Sequence, residues 1–343
     1  MRKLLNTLFV TTQGAQLRRD GETVLVQVQR EDKLRLPVHT LSGVVCFGRV
    51  WCSPQLMELC ASRQVPISFL SEKGRFFARV QGGVSGNVLL RREQYRRADD
   101  HGQTSELARA FIIGKVANDR TVLLRAMRDH STGADISALD RASAQLARVL
   151  EQLREPGPLA LVRGKEGEAA KAYFAVFDHL IVAQKGAFQF HERSRRPPLD
   201  NINALLSFVY TLLVHDVVGA CEAVGLDPAV GFLHRDRPGR PGLALDLMEE
   251  LRPFLADRLV LSLINRQQVR PDGFSRGETG AVTMGDDTRR ELLVAYQKRK
   301  QEEVHHPFLD EKLPAGMIPF AQALLLARHL RGDLDGYPPF LWK

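Results

Sequence analysis

Three short stretches of this sequence carry residues of the kinds that metal and phosphate chemistry needs. The first, LVRGKEGEAAKAYF, sets Arg163, Glu166 and Glu168 around Gly164 and Gly167. The second, DPAVGFLHRDRPGRPG, is centred on His234 and followed closely by Arg235, Arg237 and Arg240. The third, LALDLMEELRPFLADR, carries Asp246, Glu249 and Glu250. An imidazole with two carboxylates suits a divalent cation that must bind a phosphate oxygen and activate an oxygen nucleophile. Mg²⁺ and Mn²⁺ both accept such ligands, and Mn²⁺ tolerates an imidazole more readily. His234 and the three arginines fall within seven positions, a cationic loop suited to phosphate. Spacing does not choose among the acids of DLMEE. Positions i, i+3 and i+4 of a helix fall within about 100° of its circumference, between the apolar Leu243, Leu247 and Leu251 and solvent.

Two kinds of architecture must position these residues. The first ninety or so residues read as strands. LFVTTQGAQLRRDGETVLVQVQ has two β-rich runs around Asp20-Gly21, a hairpin signal, and KLRLPVHTLSGVVCFG continues with β-branched residues and glycine punctuation. Ser53 followed by Pro54 marks a helix start over QLMELCASRQ, with VPISFLS and GRFFARVQG as further strands. GGVSGNVLLRREQYRRADDHGQT reads as a linker, glycine-rich and then charged, with Arg91, Arg92, Arg96 and Arg97 as a basic cluster. From about Ser105 the apolar period becomes 3.6 and successive amphipathic helices follow, with a break expected at Pro253. The expectation is an α+β protein: a β-rich N-terminal domain with one helix over 1–88, a linker over 89–104, and a larger all-α domain over 105–343 that carries the chemistry.

Charge narrows the partners. Lys+Arg 48 against Asp+Glu 40 gives a net charge of +8, which favours a polyanion and points to nucleic acid. Cys46, Cys52, Cys60 and Cys221 form no CxxC pair, which argues against a zinc finger and a disulfide scaffold and fits a reducing compartment. The apolar run in MRKLLNTLFVTTQG is too short for a leader, broken by Asn6 and Thr7, and no apolar stretch runs uninterrupted to membrane-spanning length. A cytoplasmic protein with no membrane partner is expected.

The strings VRGKEGEAAKAYF, VGFLHRDRPGRPGLALDLMEELRP and ADRLVLSLINR, in this order, resemble the integrase family of the CRISPR spacer-acquisition module, the first Cas family. LPVHTLSGVVCFGRVWCSPQLMELCASRQVPISFLSEKGRFFARV is similar to that family's N-terminal domain, so the likeness covers nearly the whole chain. The terminal YPPFLWK resembles the type I-C branch. The resemblance implies a metal-dependent DNA endonuclease and integrase that inserts captured fragments into a CRISPR array by 3′-hydroxyl attack on a repeat phosphodiester. It implies a metal site, Mg²⁺ or Mn²⁺, of Glu166 from the Glu-Gly motif, His234 from the GFxH motif and Glu249 from the following helix, where other members have Asp. Asp246 matches a second acidic position near the site, leaving Glu250 to face Arg252 or solvent. Arg163, Arg235, Arg237 and Arg240 are the candidate DNA contacts. Implied partners are double-stranded and branched DNA, a second copy of the chain through the β-domain, with Val44, Val45 and Phe47 as pairing or packing residues, the small second adaptation protein, and a Cas4-type nuclease.

Two rival readings remain. His215-Asp216 is the signature of an HD-type phosphohydrolase, but His215 lies in the apolar run LLVHDVV and reads as a core or interface histidine. The alternative from another class is a non-catalytic DNA-binding scaffold of the adaptation complex, whose carboxylates only form ion pairs. GGVSG lacks the GK[ST] ending of a phosphate-binding loop, so ATP use is not indicated.

Overall fold

A hairpin, a capped helix and two small sheets build the N-terminal part. The computed structural model describes residues 6–72, 74, 76–80, 82, 88–129 and 135–342. The first five residues and the glycine-rich stretch 83–87, read above for a leader and a linker, lie outside these. The chain divides into two compact units, Met1–Ser85 with Tyr296–Glu302, and Gly86–Ala295 with Glu303–Lys343.

In the first unit, strands β1 (Asn6–Val10), β2 (Gln16–Asp20), β3 (Thr23–Val28), β4 (Glu31–Pro37), β5 (Leu41–Phe47) and β6 (Trp51–Cys52) precede helix α1 (Pro54–Ser62), and β7 (Ile67–Leu70) and β8 (Phe76–Val80) follow it. One sheet has the order β1-β5-β7-β8 and the other β4-β3-β2-β6. β2 and β3 pair antiparallel across the Asp20-Gly21 turn, where Gly21 takes the positive φ of 59° that such a turn needs. Ser53 caps α1, its hydroxyl accepting from the Leu56 amide at 3.3 Å, with Pro54 in the first turn. The apolar faces of both sheets and Leu56, Leu59 and Cys60 of α1 share one core. Val44, Val45 and Phe47 do not line an edge. β5 is flanked by β1 and β7, and all three side chains are buried within the unit, because a central strand has both its edges paired. Burial pushes the Cys46 and Cys60 thiols up to about 12, so they are inert core residues.

The second unit is built on helices α2 (Val88–Asp99), α3 (His101–Asp129), α4 (Ile136–Gln152), α5 (Leu159–Ala175), α6 (Asn201–Ala223), α7 (Gly242–Glu249), α8 (Arg258–Asn265), α9 (Asp286–Gln301, whose last turns group with the first unit) and α10 (Ile318–Leu330). Two ribbons interrupt them, β9 (Phe274–Arg276) with β10 (Val282–Met284), and β11 (Glu303–His306) with β12 (Glu311–Pro314), so this part is mainly rather than wholly helical. The segment 89–104, expected as a linker, is α2 and the start of α3. Its charged residues obscure a short buried side formed by Leu90 and Gln94, whose amide donates to the Asp227 and Val230 carbonyls at 2.8 Å. The break expected at Pro253 is a π-helical segment, residues 252–257, running straight into α8. α6 is long and apolar enough by length and composition to cross a membrane. Twelve of its residues are buried in the second unit, which is the pattern of a core helix.

Candidate metal centre

Two glycines make the loop before α7 possible. A Cβ on Gly231 would lie 2.6 Å from the Gly242 carbonyl carbon and 2.7 Å from Asp246 Oδ2, and one on Gly242 would lie 2.6 Å from the Ala229 carbonyl oxygen. This close approach lets Asp246, fully buried on α7, collect four donors from the loop. Its Oδ2 accepts from the Phe232 and Leu233 amides at 2.6 and 2.9 Å, and its Oδ1 from the His234 amide at 3.0 Å. The fourth is the His234 ring, with Nδ1 2.6 Å from Oδ1. A carboxylate oxygen only accepts, so Nδ1 donates to Asp246 and Nε2 is left to face Glu249 Oε1 at 3.9 Å. Metal-binding histidines are commonly held through their second nitrogen in this way.

Arg163 braces the same loop from α5. Its Nε and Nη2 donate to the Leu233 carbonyl at 3.0 and 2.5 Å. Burial, and then the nearby charges of Arg235 and Arg240, lower its pKa, so three guanidiniums gather at this edge of the site. Arg235 and Arg237 are exposed and Arg240 is half-buried.

Glu166 stands one turn beyond Arg163 on the same side of α5 and is half-buried. Glu249, at the end of α7, is buried with its side chain 3% exposed. Between the two carboxylates lies the Lys115 ammonium of α3, bonded to Glu166 Oε1 and 2.8 Å from Glu249 Oε2. Among the described residues Glu249 Oε2 has no partner in hydrogen-bonding geometry. Its Oε1 accepts from Arg252. Burial pushes the Glu249 carboxyl up, but Arg252, Lys115 and His234 outweigh this and hold it at about 2. Among the described residues no three His, Cys, Asp or Glu side chains are grouped closely enough to hold a metal ion. The donor set nevertheless suits one: an imidazole with Nε2 turned towards Glu249 and two carboxylates already closed around a cation, here an ammonium. His215 and Asp216 of α6 are likewise not joined by a third His, Cys, Asp or Glu among the described residues.

Comparisons with known proteins identify the family. A family model for CRISPR associated protein Cas1 matches residues 8–298. The chain belongs to the Cas1 family. The CRISPR-associated endonuclease Cas1 1 of Chlorobaculum tepidum is 57% identical over 343 residues, covering all of both chains. A CRISPR-associated exonuclease Cas4/endonuclease Cas1 fusion from Geobacter sulfurreducens is 34% identical over 98% of this chain and 60% of its own length. The α+β fold recurs in a casposase bound to integration product, with a TM-score of 0.83 at 22% identity over 98% of this chain and 93% of that one. It recurs again in a Cas6-RT-Cas1–Cas2 complex, with a TM-score of 0.81 at 20% identity over 99% of this chain and 36% of that one.

Three features of this Cas1 centre differ from the sequence reading or escape it. Glu250 faces neither Arg252 nor solvent. It is buried and accepts from the Tyr337 hydroxyl, the Phe340 amide and the Gln322 side-chain amide, because Arg252 turns to Glu249 instead. Lys115 escapes a search for motifs, although FIIGKVAND sets a lysine within the apolar stripe of a helix, where a buried cation implies a buried anion. Arg252 likewise gives no signal beyond its place after the acidic pair. A second polar group lies behind it: Tyr210 donates to Asp257 at 2.6 Å, the Arg252 and Arg193 guanidiniums both stand over the Tyr210 ring, and burial pushes the Asp257 carboxyl up to about 6.

Proposed function

We propose that this Cas1-family chain is a metal-dependent DNA endonuclease and integrase, with Glu166, His234 and Glu249 as the ligands of one Mg²⁺ or Mn²⁺. The observation that carries this is the orientation of His234, whose Nδ1 is taken by Asp246 so that Nε2 points at Glu249. The metal, when bound, offsets the charge that builds on the phosphorus oxygens during displacement. Asp246 holds the imidazole in the tautomer that can ligate. Arg163 keeps the loop seated, and Arg235, Arg237 and Arg240 bind the DNA backbone beside it. Among the described residues a Cβ on Gly164 or Gly167 would meet nothing within 4 Å, so the α5 surface next to Glu166 leaves room for a backbone to approach. In integration the 3′-hydroxyl oxygen of a captured fragment bonds to a repeat phosphorus, the repeat's own P–O3′ bond breaks, and the released oxygen takes a proton. Water replaces the hydroxyl in cleavage.

The proposed setting is the cytoplasm. The partners are duplex and branched DNA, a second copy of this chain, the small second adaptation protein and a Cas4-type nuclease; fusion and complex architectures among the relatives support the last two. A type I-C system is suggested by the terminal YPPFLWK. One observation favours a second reading, the non-catalytic scaffold: the two carboxylates are already neutralised by Lys115 and Arg252. Incubation with branched DNA and Mn²⁺ separates the two. Nicked or joined products that vanish with EDTA support the enzyme; tight DNA binding without any product supports the scaffold.

A further inference from the structure

The polar groups around α3 give Lys115 a task. Its side chain is 8% exposed, and its ammonium occupies the space between Glu166 and Glu249. A divalent cation held by those carboxylates and His234 needs the same oxygens, and two cations at that separation repel strongly in a buried place. Without any cation, the two carboxylates would repel each other instead. One turn further along α3, on the same side of the helix, Asp119 is buried and its Oδ2 has no hydrogen-bond partner among the described residues. The four-carbon stem of a lysine lets its ammonium move between acceptors one helical turn apart.

We propose that Lys115 is the resident cation of the metal-free site and that the divalent metal displaces its ammonium onto Asp119, so that this pair sets metal affinity. The proposal rests on the metal-centre reading given above. The ammonium keeps the cradle assembled while it is empty of metal, and Asp119 receives it when the metal enters. Affinity then depends on the difference between what Lys115 gives up at Glu166 and Glu249 and what it gains at Asp119.

Mn²⁺ titration calorimetry on the full-length protein tests this, with melting curves in EDTA for every variant. Lys115→Met is expected to bind Mn²⁺ about tenfold tighter than the parent, at the lower end of what neighbours of metal ligands contribute, and to melt lower in EDTA. Asp119→Asn is expected to bind Mn²⁺ more weakly by a similar factor, and to have no effect once Lys115 is Met. Lys115→Gln replaces Lys115→Met if the latter does not fold. Unchanged or weaker Mn²⁺ binding by the Lys115 variant overturns the proposal. So does an Asp119→Asn loss that persists in the Lys115→Met background, since that is simple charge removal near the metal. His234→Ala separates the two levels. If it binds Mn²⁺ as the parent does, the metal-centre reading itself fails; if it binds weakly while Lys115→Met is unchanged, only the role of Lys115 fails.

Discussion

Glu249 and Glu250 are neighbours in sequence and opposites in surroundings. Glu249 faces Lys115, Arg252 and His234, and these hold its carboxyl at about 2 against burial. Glu250 turns the other way, into neutral donors. Tyr337, Phe340 and Gln322 bond to it, yet burial prevails and pushes its carboxyl up to about 8. The two sides of α7 thus serve different ends. One is a charged cradle that opens at the half-buried Glu166 and His234. The other is an anchor for the last residues of the chain, completed by Asn118, which donates to the Glu250 and Phe340 carbonyls at 2.7 and 2.8 Å and accepts from the Trp342 amide at 2.8 Å. Trp342 is itself clasped by Arg125 and Arg258, 3.9 and 4.5 Å from its ring. The contrast teaches that adjacent acids of one motif can be set apart by their surroundings, one among cations and the other among neutral donors.

Substitutions that keep shape and remove charge should pull the two sides apart. Glu249→Gln has the largest expected effect: loss of DNA nicking and joining by about a thousandfold or more, since several kcal/mol of charge stabilisation depend on the ligand. Quantified product from a branched duplex in Mn²⁺ checks it, with melting to show that the variant is folded. Asp246→Asn should cost about 10- to 100-fold in activity, the usual range for a group that orients a ligand, and should weaken Mn²⁺ binding alongside. A drop below twofold in that assay would remove Asp246 from the account of His234.

Glu250→Gln should leave the chemistry within a few-fold of the parent and instead lower stability by about 1–3 kcal/mol, the cost of leaving a buried donor unmatched. Its sign with pH is fixed. The folded-state carboxyl lies at about 8 against an unfolded value near 4.5, so its contribution is full below 4.5 and is lost as pH rises through 8. The stability gap between parent and variant should therefore narrow from pH 5 to pH 9 in urea titrations; a widening gap contradicts the raised value. The smallest effect is expected at the loop. Replacing Arg235, Arg237 and Arg240 together by Ala should flatten the dependence of log DNA affinity on log salt by about 0.9 for each phosphate no longer neutralised. Fluorescence anisotropy across a salt series reads this directly.

Much of the fold is legible in the sequence because local signals agree with the tertiary result. Ser53-Pro54 starts a helix, Asp20-Gly21 turns a hairpin, and the 3.6 period marks the helical unit. The misreadings share a cause. Val44, Val45 and Phe47 look the same in a central strand as at an edge, since β pairing is a long-range property. The charged stretch from Arg91 to Arg97 hides a helix whose buried side is only Leu90 and Gln94. At the site, three acids on one helix face leave the ligand open by spacing alone. The partners that distinguish them, Lys115 on α3 and Tyr337 near the C-terminus, lie 134 and 87 residues away from their acids. No local pattern carries that information. Gly231 and Gly242 are visible as letters, but not as the close approach that lets Asp246 gather the loop amides.

The most direct test is anomalous diffraction from crystals of the full-length protein soaked in Mn²⁺. The assignment of Glu166, His234 and Glu249 as ligands requires a manganese peak at bonding distance from His234 Nε2 and from one oxygen of each glutamate, with the Lys115 ammonium gone from between them. A peak elsewhere, or none with Lys115 still bridging the two carboxylates, contradicts it.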